Sequence, residues 1–211
     1  MIRSDATGTG AGAGAVTVTR PTEQTHVVIG GRGLSATDPR RYTLALMSTI
    51  LGGGMSSRLF QEVRERRGLA YSVYSFATGY SDDGYFGLYA GCSPGRTDEV
   101  VRVLTHELER LATEPVGDDE LDRVVGQLAG SLVLGLEDTG SRMSRLGRAE
   151  LVYGELTGVD DVIARYLAVN ASTGEQIVST FTNDETVTMD LTDETLFPAF
   201  RDNLPGTTEG E

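Results

Sequence analysis

Residues 51–75 read LGGGMSSRLFQEVRERRGLAYSVYS. The glycines Gly52, Gly53 and Gly54 do not sustain a helix and read as a loop. Ser56 or Ser57 is placed to cap a short helix that turns Leu59, Phe60 and Val63 inward. Gly68 suits the left-handed residue that ends such a helix. From Tyr71 to Thr78 the pattern switches to period two. Tyr71, Val73, Ser75 and Ala77 then share one face of a strand, and Tyr74 and Phe76 the other. The stretch is thus a glycine loop, a short helix and a turn into a strand.

Upstream, His26-Val27-Val28-Ile29 is a β-rich run ended by Gly30 and Gly31. Asp38 and Pro39 predict the N-cap and first position of a helix with Tyr42, Leu44, Leu46, Met47, Ile50 and Leu51 on its apolar face. Downstream, Ser81-Asp82-Asp83-Gly84 is a turn into a second strand, Tyr85 to Cys92, which places Phe86, Leu88 and Ala90 on one face and makes a hairpin. Helical spacing then dominates. Thr97 caps a helix with Val100, Leu104, Leu108 and Leu111. Asp118 caps a longer one with Leu121, Val125, Leu128, Leu132 and Leu136. Ser141 opens a third with Met143, Leu146, Leu151 and Val152, and residues 159–167 make a fourth. Ser172 to Glu175 form a capping box before Ile177, Val178 and Phe181, and residues 186–191 alternate as a strand. This order predicts an α+β fold, a two-layer sandwich with a mainly antiparallel sheet and helices on one face. Residues 1–22, rich in Gly, Ala and Thr, read as a flexible arm or interdomain linker with a short strand at 16–19. Residues 23–191 read as one domain and 192–211 as a loosely held tail.

The chain has 211 residues, 39% hydrophobic and 23% charged, as expected of a soluble globular domain. No apolar run approaches the roughly 18 residues needed to span a bilayer. Residues 1–5 lead into Gly, Ala and Thr and not into the apolar core of a signal peptide. Cys92 is the single cysteine, so an internal disulfide and a Zn–Cys cluster are excluded. A reducing, cytoplasmic location is the expectation. The net charge of −13 argues against nucleic-acid binding. The densest basic cluster, Arg64, Arg66 and Arg67, sits beside Glu62 and Glu65 as a solvated helix face would. Long-range attraction favours basic or unfolded polypeptide partners.

A catalytic zinc site needs three protein ligands and an open position. The nearest approach to a helical zinc motif is His106-Glu107-Leu108-Glu109-Arg110. It carries a guanidinium, which cannot ligate zinc, where the second histidine belongs. His26 has no histidine near it in sequence. Cys92, at a strand end, reads as a core residue. There is no Gly-x-Ser-x-Gly elbow and no phosphate loop, and sequence alone leaves a Ser–His–Asp triad open. The chain reverses between Arg64 and Tyr71, so both side chains can reach one cleft. A permanently charged guanidinium and a phenol suit a peptide carbonyl or a developing oxyanion. They suit equally well a helix surface and a half-buried strand.

The same segment resembles the C-terminal domain of the pitrilysin/insulinase family of zinc peptidases, most closely its bacterial processing-protease branch. The anchors are Gly52 to Leu59, Arg64 to Tyr71, Gly126-Gln127-Leu128 through Leu136-Glu137-Asp138, Ser141-Arg142 and Gly147-Arg148. The likeness covers roughly residues 24–191. It implies two similar α+β domains that close like a clamshell around an unfolded peptide. The zinc sits in the other domain, on a His-x-x-Glu-His motif. The zinc-less domain contributes an arginine and a tyrosine seven residues apart, here Arg64 and Tyr71, that bind substrate and stabilise the transition state. Gly52 to Gly54 resemble a short form of the substrate-contacting glycine loop of the non-catalytic subunit of mitochondrial processing peptidase. The resemblance implies no cofactor on this chain and no activity of the chain alone. Its partners are a zinc-bearing domain or subunit and an unfolded peptide, and a homodimer is compatible with it. It also includes catalytically inactive scaffold subunits. A third reading is a peptide-binding module that adds a peptide strand to its sheet edge.

Overall fold

Aliphatic and aromatic residues alternate along three strands, and that alternation gives the sheet two unlike faces. The structure, a computed structural model, describes residues 23–170. The expected arm at 1–22, the helix after Ser172, the strand at 186–191 and the tail at 192–211 lie outside the described residues. Strands β1 (Thr25–Arg32), β2 (Ala70–Gly79) and β3 (Gly84–Cys92) form an antiparallel sheet in the order β1-β3-β2. Helices α1 (Arg41–Gly52), α2 (Thr97–Thr113), α3 (Asp118–Gly135), α4 (Thr139–Arg148) and α5 (Val159–Asn170) complete an α+β fold, with π-helical turns at Phe60–Arg66 and Ala149–Tyr153. Among the described residues no helix is long and apolar enough to cross a membrane.

The register puts Ala90 of β3 opposite Val27 of β1 and Val73 of β2, and Leu88 opposite Ile29 of β1; these and Phe86 are buried. Leu46, Ile50 and Leu51 of α1 and Val100 and Leu104 of α2 complete this core. Each such side chain contributes about 1.5–3 kcal/mol of burial free energy. The opposite sheet face is aromatic. Tyr74 stacks on Tyr89 at 4.7 Å, and Phe76 lies over Gly87. The expected hairpin and the inward set Phe86, Leu88 and Ala90 are both present.

Helix starts differ from the sequence reading. Asp38 is not the cap of α1. Its carboxylate accepts the Arg40 N–H at 2.8 Å and pairs with the Arg40 guanidinium, and the helix opens at Arg41. That pairing also holds the Asp38 carboxyl below its ordinary range. The Thr97 hydroxyl donates to the Pro94 carbonyl, so it does not cap α2. Gly117, not Asp118, precedes α3, and Asp118 falls in its first turn, where a carboxylate favours the helix dipole. Asp138 caps α4 by accepting the Ser141 N–H at 2.6 Å. The apolar residues on α4 and just after it are not covered: Met143, Leu146 and Leu151 are 70%, 49% and 86% exposed. Ser141, Ser144, Arg145 and Arg148 line one side of a cavity, with Arg145 alone of the four half-buried.

The short helix closes as its glycine predicts. Gly68 has φ +57°, its N–H donates to the Arg64 carbonyl, and the Leu69 N–H reaches back to Val63. This is a Schellman-type end widened by one residue, as a π-helical turn requires. No atom lies within 4 Å of a Cβ built on Gly68, so only backbone strain opposes a side chain there. Gly68→Ala is expected to destabilise the chain by about 1 kcal/mol, read from the urea midpoint.

Candidate functional site

Two irregularities bring Arg64 and Tyr71 together. The helix carrying Arg64 is π-helical over Phe60–Arg66, which adds a residue to its turn. In β2, Ala70 pairs with Cys92 and Ser72 with Gly91, so Tyr71 is the unpaired residue of a β-bulge. The burial pattern records the slip. Ala70 and Val73 are buried three apart, and Tyr71 and Ser72 are both exposed between them. The sequence reading put Tyr71 on the face of Val73. The bulge instead turns it outward, 79% exposed.

The Arg64 guanidinium lies 4.4 Å from the Tyr71 ring centroid and 4.7 Å from that of Phe60. Its nearest carboxylate contact, to Glu65, is 3.8 Å. Ring faces hold a guanidinium by cation–π attraction, about 0.5–2 kcal/mol each, and leave its N–H donors unspent. The result is an exposed phenol beside a positioned cation.

The glycine segment divides into two parts. Gly52 is the buried last residue of α1. A Cβ there meets the Ser75 nitrogen at 2.2 Å and the Tyr74 carbonyl carbon at 2.7 Å, so this glycine lets α1 cross β2 at backbone contact. Gly53 is exposed and Gly54 half-buried. Their carbonyls are held from below. Gln127 Nε2 donates to Gly53 at 2.9 Å, and the Ser57 hydroxyl donates to Gly54 at 2.6 Å. Arg58 ties the segment to α3 through both Glu120 oxygens, at 3.0 and 2.7 Å. Sequence reasoning left out Glu120 and saw Gln127 only as an anchor. Contacts between residues 62 and 74 positions apart leave no local signal.

Other candidate chemistry disperses. His106 is on the exposed side of α2, whereas Glu107 is buried and pairs with Arg110 at 3.1 Å. Hydrogen bonding to Glu114 and the nearby Glu107 charge push the Arg110 guanidinium further above its ordinary range. His26 shares a hydrogen bond of 2.7 Å with the Tyr89 hydroxyl. Among the described residues neither histidine is hydrogen-bonded to a serine or a carboxylate, which assembles no triad. Cys92 is buried at the sheet end, 3.9 Å from the Thr97 hydroxyl. No three His, Cys, Asp or Glu side chains among the described residues gather into a metal-binding group.

Residues 8–128 match the family model described as the peptidase M16 inactive domain. The chain is 55% identical over 150 residues to an uncharacterized zinc protease of Streptomyces coelicolor, which covers 71% of this chain and 33% of that protein. It is 40% identical over 151 residues to an uncharacterized zinc protease of Bacillus subtilis, covering 72% of this chain and 37% of the relative. It thus spans about a third of the length of the curated relatives it matches. The crystal structure of a peptidase M16 inactive domain from Pseudomonas fluorescens superposes with a TM-score of 0.69 at 25% identity, over 80% of this chain and 40% of that one. More than half of the chain matches one family model. The chain belongs to the peptidase M16 inactive-domain family, the zinc-less domain class of the pitrilysin/insulinase peptidases.

Proposed function

We propose that this chain is the substrate-binding half of a clamshell zinc endopeptidase that acts on unfolded peptides or presequences. The observation that carries this reading is the convergence of Arg64 and Tyr71, where a π-helical turn and a β-bulge both depart from regular geometry. Such departures cluster at functional sites, because a regular helix and strand would satisfy packing alone. Zinc, which supplies a Lewis acid and an activated water, belongs to a partner domain or subunit with the His-x-x-Glu-His motif.

The residues of this chain bind and orient. Arg64 donates N–H bonds to a peptide carbonyl and keeps its charge as that oxygen becomes negative. Tyr71 donates its phenolic O–H to the same region. The loop at Gly53 and Gly54 exposes backbone to an extended peptide. Gly52 supports that loop from below. The aromatic face formed by Tyr74, Phe76 and Tyr89 offers apolar contact to substrate side chains.

Cleavage of a fluorogenic unfolded peptide, with zinc present, tests this assignment. The chain alone is expected to be inactive, and its mixture with a His-x-x-Glu-His domain from the same source active. Activity of the lone chain, or a stable mixture that remains inactive, overturns it.

A further inference from the structure

α4 is largely exposed and turns a polar side toward a surface cavity. Ser141, Ser144, Arg145 and Arg148 recur at i, i+3, i+4 and i+7, the spacing of one helix face, and line a cavity of about 660 Å³. Met143 and Leu146 point away, 70% and 49% exposed. A helix in contact with an apolar core does the reverse. The other walls are the loop at Leu34 to Ala36, α1, the C-terminal half of α3, and α5. Leu44, Leu132, Leu136 and Val162 supply an apolar floor. The volume is that of a small-molecule site.

The charge in this cavity runs against that of the chain as a whole, which is −13. Arg41, Arg145 and Arg148 line it, and Glu155 is the one carboxylate among its described lining residues. A fourth guanidinium, Arg165, joins Arg41 at a single atom. Both donate to the Tyr42 phenol oxygen at 2.9 Å. Arg41 and Arg148 also flank the Tyr153 ring, at 5.1 and 5.9 Å. Among the described residues none of these four arginines has a carboxylate within 4 Å, whereas Arg32, Arg58, Arg66 and Arg110 all do. Among the described lining residues the cations outnumber the carboxylates, and an anion bound among them relieves their repulsion. Burial pushes the Tyr166 phenol, packed edge-on against Tyr42, above its ordinary value.

We infer that this cavity is a binding site for a small amphiphilic carboxylate, with its head among Arg41, Arg145 and Arg148 and its apolar body on the floor between α1, α3 and α5. The site is separate from Arg64 and Tyr71. It is lined by Ala77 and Gly79 at the far end of β2, roughly 20 Å along the strand from Tyr71 at 3.3 Å per residue.

Two sources provide such a carboxylate, a fatty acid and the free C-terminus of an apolar peptide. The test is calorimetric titration of the full chain with dodecanoate, with N-acetyl-trileucine, and with the amide of the same peptide. At least one of the two acids is expected to bind with a submillimolar Kd, and which one binds identifies the source. The amide is expected to bind at least tenfold more weakly than its acid if the peptide is the ligand. The Arg148 side chain makes no hydrogen bond among the described residues and touches only the Tyr153 ring, at 5.9 Å, so Arg148→Gln removes the charge at the cost of one long ring contact. It should weaken the bound acid about tenfold, Arg148→Lys should restore most of that loss, and the outward Met143→Gln should leave affinity unchanged. Failure of both acids to bind at 1 mM, equal binding of peptide acid and amide without binding of dodecanoate, or indifference to Arg148→Gln overturns the site.

Discussion

Arg64→Ala, in a mixture with a zinc-bearing partner domain, is expected to lower kcat/KM by about 100-fold, the usual cost of removing one donor to a developing oxyanion. The loss should fall mainly on kcat, because the charge matters most where the carbonyl oxygen becomes negative. Arg64→Lys should recover only part of it. A lysine keeps the charge but loses the planar fork that sits between the Phe60 and Tyr71 rings at 4.7 and 4.4 Å. Tyr71→Phe removes the phenol and leaves the ring under the guanidinium, so a smaller loss of about tenfold is expected. Tyr71 is 79% exposed and Arg64 is bound by no strong ion pair, so neither change should shift the thermal midpoint appreciably. Steady-state kinetics beside a melting curve separates the two effects. Equal kcat/KM for wild type and Arg64→Ala would remove the proposed role.

The second large effect is one of stability. Gly52→Ala places a Cβ 2.2 Å from the Ser75 nitrogen and 2.7 Å from the Tyr74 carbonyl carbon, both backbone atoms that cannot rotate away. α1 must then separate from β2. The disturbance reaches the Ser75 hydroxyl, which donates to the Ser48 carbonyl across the same crossing, and the buried Leu51 beside it. A loss of about 3 kcal/mol is expected, at the upper end for overpacking. Gly54→Ala meets only the Gln127 side-chain amide, at 3.2 Å, which can shift. It should cost about 0.5 kcal/mol, as a surface change does. Urea unfolding of both variants checks the contrast. Similar midpoints for the two would contradict the division of this loop into a packing residue and an exposed part.

Much of the fold is readable from local pattern. The alternation of Phe86, Leu88 and Ala90 marks the inner face of β3, and Gly68 marks the helix end, because each depends on a few consecutive residues. Helix starts were harder. Asp38 satisfies the cap rule, yet its carboxylate is taken by Arg40, two residues on, which is a competing local hydrogen bond. The face of Tyr71 was misread because a bulge adds one residue to a strand without changing its composition. α4 was hard to read for a different reason. Periodicity locates an apolar face but not whether the domain covers it, and here α4 has no buried residue and leaves Met143 and Leu146 exposed. Arg64 and Tyr71 were legible as a pair only through the resemblance to a family. Their contact depends on a π-helical turn that no residue spacing announces.

Peptide binding by this chain is the central claim, and fluorescence anisotropy of a labelled unfolded peptide titrated with the full chain tests it most directly. The account predicts saturable binding that Arg64→Ala and Tyr71→Phe each weaken at unchanged thermal midpoint. Saturable binding with the same affinity in wild type and both variants would contradict it.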